Sequence, residues 1–557
     1  MNNLITRKST KLNFERGIKP FLKLVKVLVI ICLLTIVGCS KSNSTTTTTI
    51  KLKQIIKPPE LPELSSDWPQ SGNNLWGDRF SPITQLTSSN FTQLTLKFSI
   101  ELNHFRVGGQ ESEPIELGNY LYVTTSGDGV YAFNATSGAL IWNYTPELNL
   151  VPGWSPESNR GPAVNRNYVF VLTADDNLLE LNRFNGTLVH KFQVADPAQG
   201  YSEMMAPLIY KNLAIVGSSG GDEGTRGFIE AVNINTGTTV WKWYSVPPPG
   251  VSWNQPATGN HGGGDVWTTP IIVDNLVVAG TGNPSPDFYG ELRAGSDPYT
   301  DSVVALNIQT GALVWATQEV SHDLWDSDAA SPPVAFYLNN KVAIGEAGKD
   351  GYWYETSFSN GNSLISPTAF VKVDRTPPSV SGTMEWPGSE GGANYGGSSF
   401  DPINETALIA GINFPTIIKT SSSPPPNAQP TNDREDAGST SITPNGITPS
   451  GTITGIDVKN GQILWQHNFS SPSIGGVSST ASGLVFAGFE NGDLKALDEK
   501  TGKVLWTTNL GAPIAVAPIL YKSNGKLYLA VETGGAESLK YQFPYSGPYD
   551  LMVFELR

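Results

Sequence analysis

The chain has 557 residues, among them 57 glycines, 40 prolines and 14 tryptophans, and only 15% of it is charged. That mixture suits many short strands joined by turns, and no helical periodicity stands out after the N-terminus. A formal net charge of −14 argues against a nucleic-acid partner, which needs a basic surface. The two cysteines, Cys32 and Cys39, both lie in the N-terminal apolar segment. The mature chain is therefore expected to have no disulfide, thiolate metal site or cysteine nucleophile, and it lacks the C-x-x-C-H that attaches a c-type haem.

Residues 1–26 are basic, with Lys19, Lys23 and Lys26 leading into a twelve-residue apolar run, Val27 to Gly38. Such a run is a signal-peptide core, too short for a comfortable membrane span. It ends Thr35-Ile36-Val37-Gly38-Cys39-Ser40, which resembles a lipoprotein signal with Cys39 as the lipidated residue. An uncleaved anchor beginning near Phe21 is the alternative, and either way the remainder is expected to be exported and tethered. The expected organisation is a leader over 1–38, a low-complexity tether over 39–66 and one domain over 67–557. Thr420 to Gly446, with three consecutive prolines from Pro424, reads as a long surface loop.

Internal repetition organises the domain. An alternating strand, a turn closing on glycine and an apolar strand with tryptophan recur at Gly138…Trp142, Gly237…Trp241, Gly311…Trp315, Gly461…Trp465 and Gly502…Trp506. Weaker copies surround Gly186, with His190 at the tryptophan place, and Gly361. Most intervals are about 40 to 50 residues, the period of a four-stranded propeller blade. One double interval should hide a further blade near Phe400 to Gly411, which makes eight. The expected fold is an all-β, eight-bladed β-propeller whose tryptophans dock between neighbouring blades. The final strand, Leu551 to Arg557, is expected to close the ring with the N-terminal segment.

The chemistry is concentrated in residues 262–328. Gly262-Gly263-Gly264 lets backbone approach a flat ligand, and Trp267 offers an indole face. Asn283, Asp326 and Asp328 are hard oxygen donors of the kind Ca²⁺ takes. Taken singly, each is more often a hairpin turn or a solvated loop residue.

Together with the repeats, these motifs resemble the pyrroloquinoline quinone (PQQ) dehydrogenases of the methanol and alcohol dehydrogenase family over about residues 67–557. Asp67-Trp68-Pro69…Arg79-Phe80-Ser81-Pro82 is similar to that family's opening signature. The resemblance implies PQQ contacts for Glu111 in Gly109-Gln110-Glu111, Arg160, Lys349 in Gly348-Lys349-Asp350-Gly351, and Asn394. Ser219-Gly220-Gly221-Asp222 matches the turn with the family's metal-binding glutamate. Asp222 takes that place, and Gly220 and Gly221 join the cofactor contacts. Trp267 matches the stacking tryptophan, and Asn283 the metal-binding asparagine. His322-Asp323-Leu324-Trp325-Asp326 matches the segment with the catalytic aspartate, which is then Asp326. Where catalytic members carry two adjacent cysteines, this chain has Trp154-Ser155.

What the resemblance implies is PQQ-dependent oxidation of an alcohol or sugar. Asp326 would be the base, and Asp222, Asn283, Asp326 and Asp328 would hold Ca²⁺ or a lanthanide. Electrons would leave to a separate carrier: a cytochrome, a blue copper protein or a membrane quinone. The same repeats and leader also suit a lipoprotein scaffold for envelope protein assembly. A scaffold has no reason to keep Trp267, Asn283, Asp326 and Lys349 together.

Overall fold

The computed structural model describes residues 67–102, 108–150, 158–247, 262–422, 439–540, 542–545 and 549–557. The expected leader, lipidated Cys39, the tether and Trp154-Ser155 lie outside the described residues. Among the described residues no helix is long and apolar enough to cross a membrane.

Eight sheets of four or more strands form from the repeats, and a ninth, of three strands, lies outside the series. Blade 1 spans 115–144, blade 2 163–193, blade 3 208–244, blade 4 271–318 and blade 5 334–369. Blade 6 combines 399–413 with 450–469, and blade 7 spans 477–509. Blade 8 combines Ile519–Ser523, Lys526–Glu532 and Asp550–Leu556 with the early strand Leu94–Glu101. That early strand pairs antiparallel with the last one, Leu94 opposite Leu556, so the two ends of the domain share one sheet. A second clasp is the parallel pairing of Phe80–Ser81 with Val477–Thr480.

Apolar side chains fill every junction of the ring. Blades 3, 4 and 5 share one buried cluster, blades 7 and 8 another, and a third joins blade 8 to blades 1 and 2. Middle strands such as Tyr168–Thr173 are buried along nearly their whole length, because a neighbouring sheet covers each face. The fourth strands, such as Leu188–Gln193, form the exposed rim.

The repeated tryptophan has the packing role expected of it. Indole N–H groups of Trp142, Trp241, Trp315 and Trp465 donate to Arg183 O, Ile308 O, Phe358 O and Glu499 O at 2.8, 2.8, 2.7 and 2.6 Å. Each acceptor belongs to the next blade. The ring lies on that blade's turn glycine: a Cβ at Gly186, Gly311, Gly361 or Gly502 would come within 2.2–2.8 Å of it. These glycines also have φ of +66 to +71°, so both conformation and space demand them.

Three expectations need correction. The strands near Phe400 to Gly411 are not a separate blade; they are the inner half of the blade that ends at Trp465. The eighth blade is instead the sheet in which the final strand closes the ring with the N-terminal segment, as expected, and it carries no repeat signature. At Gly237 the packing ring is Phe192, not His190, whose Nδ1 instead meets Glu180 at 2.8 Å. Finally, Thr416–Thr420 and Ser439–Ile442 are strands of the three-stranded sheet, so the expected loop is structured at both ends; residues 423–438 lie outside the described residues.

Candidate active site

Four segments meet at one end of blades 3 to 5. They are the turn Gly220–Asp222, the run Gly263–Trp267, the exit Thr281–Asn283 and the segment Asp323–Asp328. Lys349, in the turn after Lys341–Ala347, enters among them. Its Nζ stands 2.5 Å from Asp326 Oδ1 and 2.8 Å from Asp328 Oδ2. Asp328 Oδ1 accepts the Asn283 backbone N–H at 2.7 Å. The Asn283 amide nitrogen donates to Asp287 Oδ1 at 2.8 Å, which leaves the amide oxygen as its offered donor atom.

Burial is the largest influence on the charges of Asp326 and Lys349. It raises the Asp326 carboxyl well above the ordinary range; the Lys349 ammonium pulls it down, and Asp328 and Asp222 push it further up. Burial works against the Lys349 ammonium, but Asp326, Asp328 and Asp222 hold its affinity for the proton well above normal. Asp326 also sits at φ +62°, a conformation non-glycine residues hold only where surroundings impose it. Asp323 is the imposing group: its carboxylate accepts Ser327 N–H at 2.9 Å and is reached by Arg375 at 3.3 Å.

The second half of the site is aromatic. The Arg160 guanidinium carbon lies 4.7 Å from the Trp267 ring centroid and 4.6 Å from that of Tyr395. Arg160 also reaches Glu111 Oε2 at 3.4 Å and donates to Trp267 O at 3.2 Å. A cavity beside it is lined by Arg160, Glu111, Tyr395, Arg79 and Glu113, with Gly475 and Ala515–Ala517 opposite. Two segments link this half to the carboxylates: Asp265 to Trp267, and Gly391 to Tyr395, whose Gly391 packs on the Lys349 stem.

Most residues singled out in the sequence therefore gather here. Asp326, Asp328, Asn283 and Lys349 are in contact, and Trp267, Arg160 and Glu111 form the neighbouring group. Asp222 is exposed in its turn, yet close enough to act on Asp326 and Lys349. Gly221 is needed because a Cβ there would stand 2.5 Å from Asp265 Oδ1. Gly220, at φ +103°, begins that turn. Asn394 is half-buried and turned onto its own segment, its amide donating to Glu390 O at 3.1 Å.

Asp265 is the residue the sequence reading passed over, although it stands inside the Gly262…Trp267 motif. Fully enclosed, it is held well above the usual carboxylate range by burial, then by Asp328 and Asp222. Arg293 was also missed. Completely buried, it binds Asp297 Oδ2, Pro286 O, Asp287 O and Asp323 O, and so ties the excursion after Asn283 to the Asp326 segment. No local motif announces a clamp whose acceptors are mostly backbone carbonyls.

Among the described residues no three carboxylate, imidazole or thiolate groups already stand in metal-holding geometry. The donor chemistry nonetheless fits a hard cation. Asp326 and Asp328 share one ammonium, Asp265 lies beside Asp328 at Gly282, and Asn283 adjoins Asp328, so an added cation would offset surplus negative charge.

Comparison with known proteins gives the family. Residues 68–366 and 368–529 match the PQQ glucose/ethanol/alcohol dehydrogenase β-propeller domain. The chain belongs to that family. It is 28% identical over 515 residues to the quinohemoprotein alcohol dehydrogenase ADH IIB of Pseudomonas putida, covering 85% of this chain and 74% of that protein. It is also 28% identical over 534 residues to an alcohol dehydrogenase (quinone) dehydrogenase subunit of Gluconacetobacter polyoxogenes, covering 84% and 71%. Among solved structures, the quinohemoprotein alcohol dehydrogenase of Comamonas testosteroni superposes with a TM-score of 0.79 at 25% identity, covering 88% of this chain and 80% of that one. A europium-containing methanol dehydrogenase has the same fold, with a TM-score of 0.79 at 24% identity and coverage of 88% and 98%.

Proposed function

We propose that the protein is a PQQ-dependent dehydrogenase oxidising a small alcohol, or next a sugar, at this site. What supports the reading is the meeting of Asp326, Asp328, Asn283 and Lys349 beside Trp267 and Arg160 in a chain of this family. PQQ, when bound, supplies a two-electron acceptor, and a cation beside it supplies Lewis acidity. Trp267 offers a face for a planar ring, and the Arg160 guanidinium suits ligand carboxylates. Since Arg160 already covers one indole face, a stacked ligand takes the other or displaces the guanidinium. Glu111 borders the same space, and Asn394 adjoins it through Tyr395. Asn283, Asp222, Asp326 and Asp328 are the residues for the cation. Asp326 takes the proton of the substrate hydroxyl on a carboxylate oxygen, and Lys349 holds that carboxylate in place.

Ca²⁺ is the first choice of ion and a lanthanide the second; Asp265 adds negative charge that favours the trivalent case. The leader that precedes Cys39 supports export and lipid anchoring, with electrons passed to a separate cytochrome, blue copper protein or quinone. The scaffold reading is not favoured, since a scaffold needs none of this constellation.

Purified protein reconstituted with PQQ and Ca²⁺ or La³⁺ is expected to reduce a dye with primary alcohols ahead of aldoses. Protein that neither binds PQQ nor turns over any of these would refute the assignment. Radiolabelled lipid found on the parent and absent from Cys39→Ser tests the anchor.

A further inference from the structure

The ring repeats one polar contact between blades, which sets up an internal comparison. After the second strand of blade 1, Asp128 sits at φ +59° with its N–H donating to Thr125 O at 2.9 Å. Its carboxylate accepts from the Asn159 amide at 2.7 Å and from Ala174 N–H at 2.8 Å, both in the approach to or body of blade 2. At the junction of blades 8 and 1, the Gln110 amide likewise donates to the buried Glu532 carboxylate. In both places a carboxylate meets an amide.

At the junction of blades 2 and 3 the amide is replaced. Asp176 repeats Asp128, with φ +57° and its N–H donating to Thr173 O at 2.9 Å. The segment leading into blade 3 presents Glu203 where blade 2 presents Asn159. Asp176 and Glu203 are 0% and 1% exposed, and none of their four carboxylate oxygens meets a hydrogen-bond donor. Asp176 is the charge that acts most strongly on Glu203. Nearby cations are already engaged: Lys242 binds Glu230 at 2.8 Å and Lys191 binds Asp175 at 3.1 Å. The Lys242 ammonium acts on both carboxylates from where Glu230 and Val194 O hold it, but it donates to neither, which leaves two enclosed carboxylates that no hydrogen bond satisfies. Leaving such charges unpaired is expensive, and a protein removes that expense with a bound ion or a proton.

We propose that Asp176 and Glu203 bind a divalent cation of the Ca²⁺ kind at the junction of blades 2 and 3. Two carboxylates balance its charge, and carbonyl or water oxygens complete the shell, as hard cations accept. The site is structural and separate from the residues placed around the cofactor. Its position also bears on them, because the neighbouring Met204 carbonyl accepts the Arg160 backbone N–H at 2.9 Å. An ion at Glu203 thereby steadies the segment that carries Arg160.

The test uses the full chain, stripped with chelator and dialysed against Ca²⁺ without PQQ. Parent and Asp328→Ala should each retain about one Ca²⁺ per chain more than Glu203→Gln and Asp176→Asn. Glu203→Gln recreates the carboxylate–amide pair of Asp128 and Asn159, so it should fold and keep the parent's circular dichroism without the ion. Asp176→Asn provides a second route should that variant misfold. Equal ion content in the parent and both variants would overturn the proposal. So would a parent that ignores Ca²⁺ and gains stability over Glu203→Gln as pH falls, which marks a shared proton instead.

Discussion

The carboxylates of Asp265 and Asp328 converge on Gly282: a Cβ there would lie 2.3 Å from Asp265 Oδ1 and 2.8 Å from Asp328 Oδ1. Gly282 has no positive φ, so its requirement is for space alone. Gly282→Ala should push the two carboxylates apart while leaving the propeller folded, since overpacking costs about 1–3 kcal/mol. Cation-dependent PQQ affinity, measured by calorimetry, should fall at least about tenfold. Unchanged affinity would show that these two groups do not serve the ion.

Trp267 is predicted to carry the stacking face. Trp267→Ala should abolish the thermal stabilisation that PQQ confers and leave β-sheet circular dichroism unaltered. Equal stabilisation of variant and parent would remove the tryptophan from the cofactor site.

Asp326 should act as the base. Asp326→Asn is expected to retain PQQ and lose turnover by at least about 10²-fold. The base works deprotonated, so kcat/KM should rise with pH through its titration. Activity within a few-fold of the parent, with the same pH profile, would exclude the role.

Asp328 decides the response to ion charge. In metal-free protein with PQQ, Asp328→Ala should weaken activation by La³⁺ more than by Ca²⁺, because ligand charge matters more to a trivalent ion. If the variant leaves both titrations unchanged, Asp328 serves only to hold Lys349 and Asn283.

Trp241 tests the docking repeat. It is 7% exposed and donates to Ile308 O in the next blade. Trp241→Ala should cost about 3–5 kcal/mol, seen as a lower Tm with and without PQQ. A Tm unchanged from the parent would mean that the junction is held elsewhere.

The architecture was legible because a propeller repeats one unit: glycine, then tryptophan four residues on, recurs wherever a blade must seat on its neighbour. Legibility failed where the unit was incomplete. Blade 8 is made from Leu94–Glu101 and the C-terminal strands, which share no local signature, and Phe192 fills the tryptophan's place from a register two residues away. Within the site, Asp326, Asp328, Asn283, Trp267 and Lys349 could be picked out because each stands in a short motif. Asp265 stands in such a motif too, but its enclosure beside Asp328, like the distant partners of Arg293, exists only in the fold.

By itself the sequence determined the all-β repeat, seven of its units and the residue types available for a quinone and a hard cation, because period and side-chain chemistry are local properties. Only the tertiary structure decided which carboxylates face one another. It seated Lys349 between Asp326 and Asp328, brought Asp265 to Gly282, and buried Asp176 and Glu203 without a hydrogen-bond donor. Charge interactions depend on distance and burial, and ring closure, not chain order, sets both.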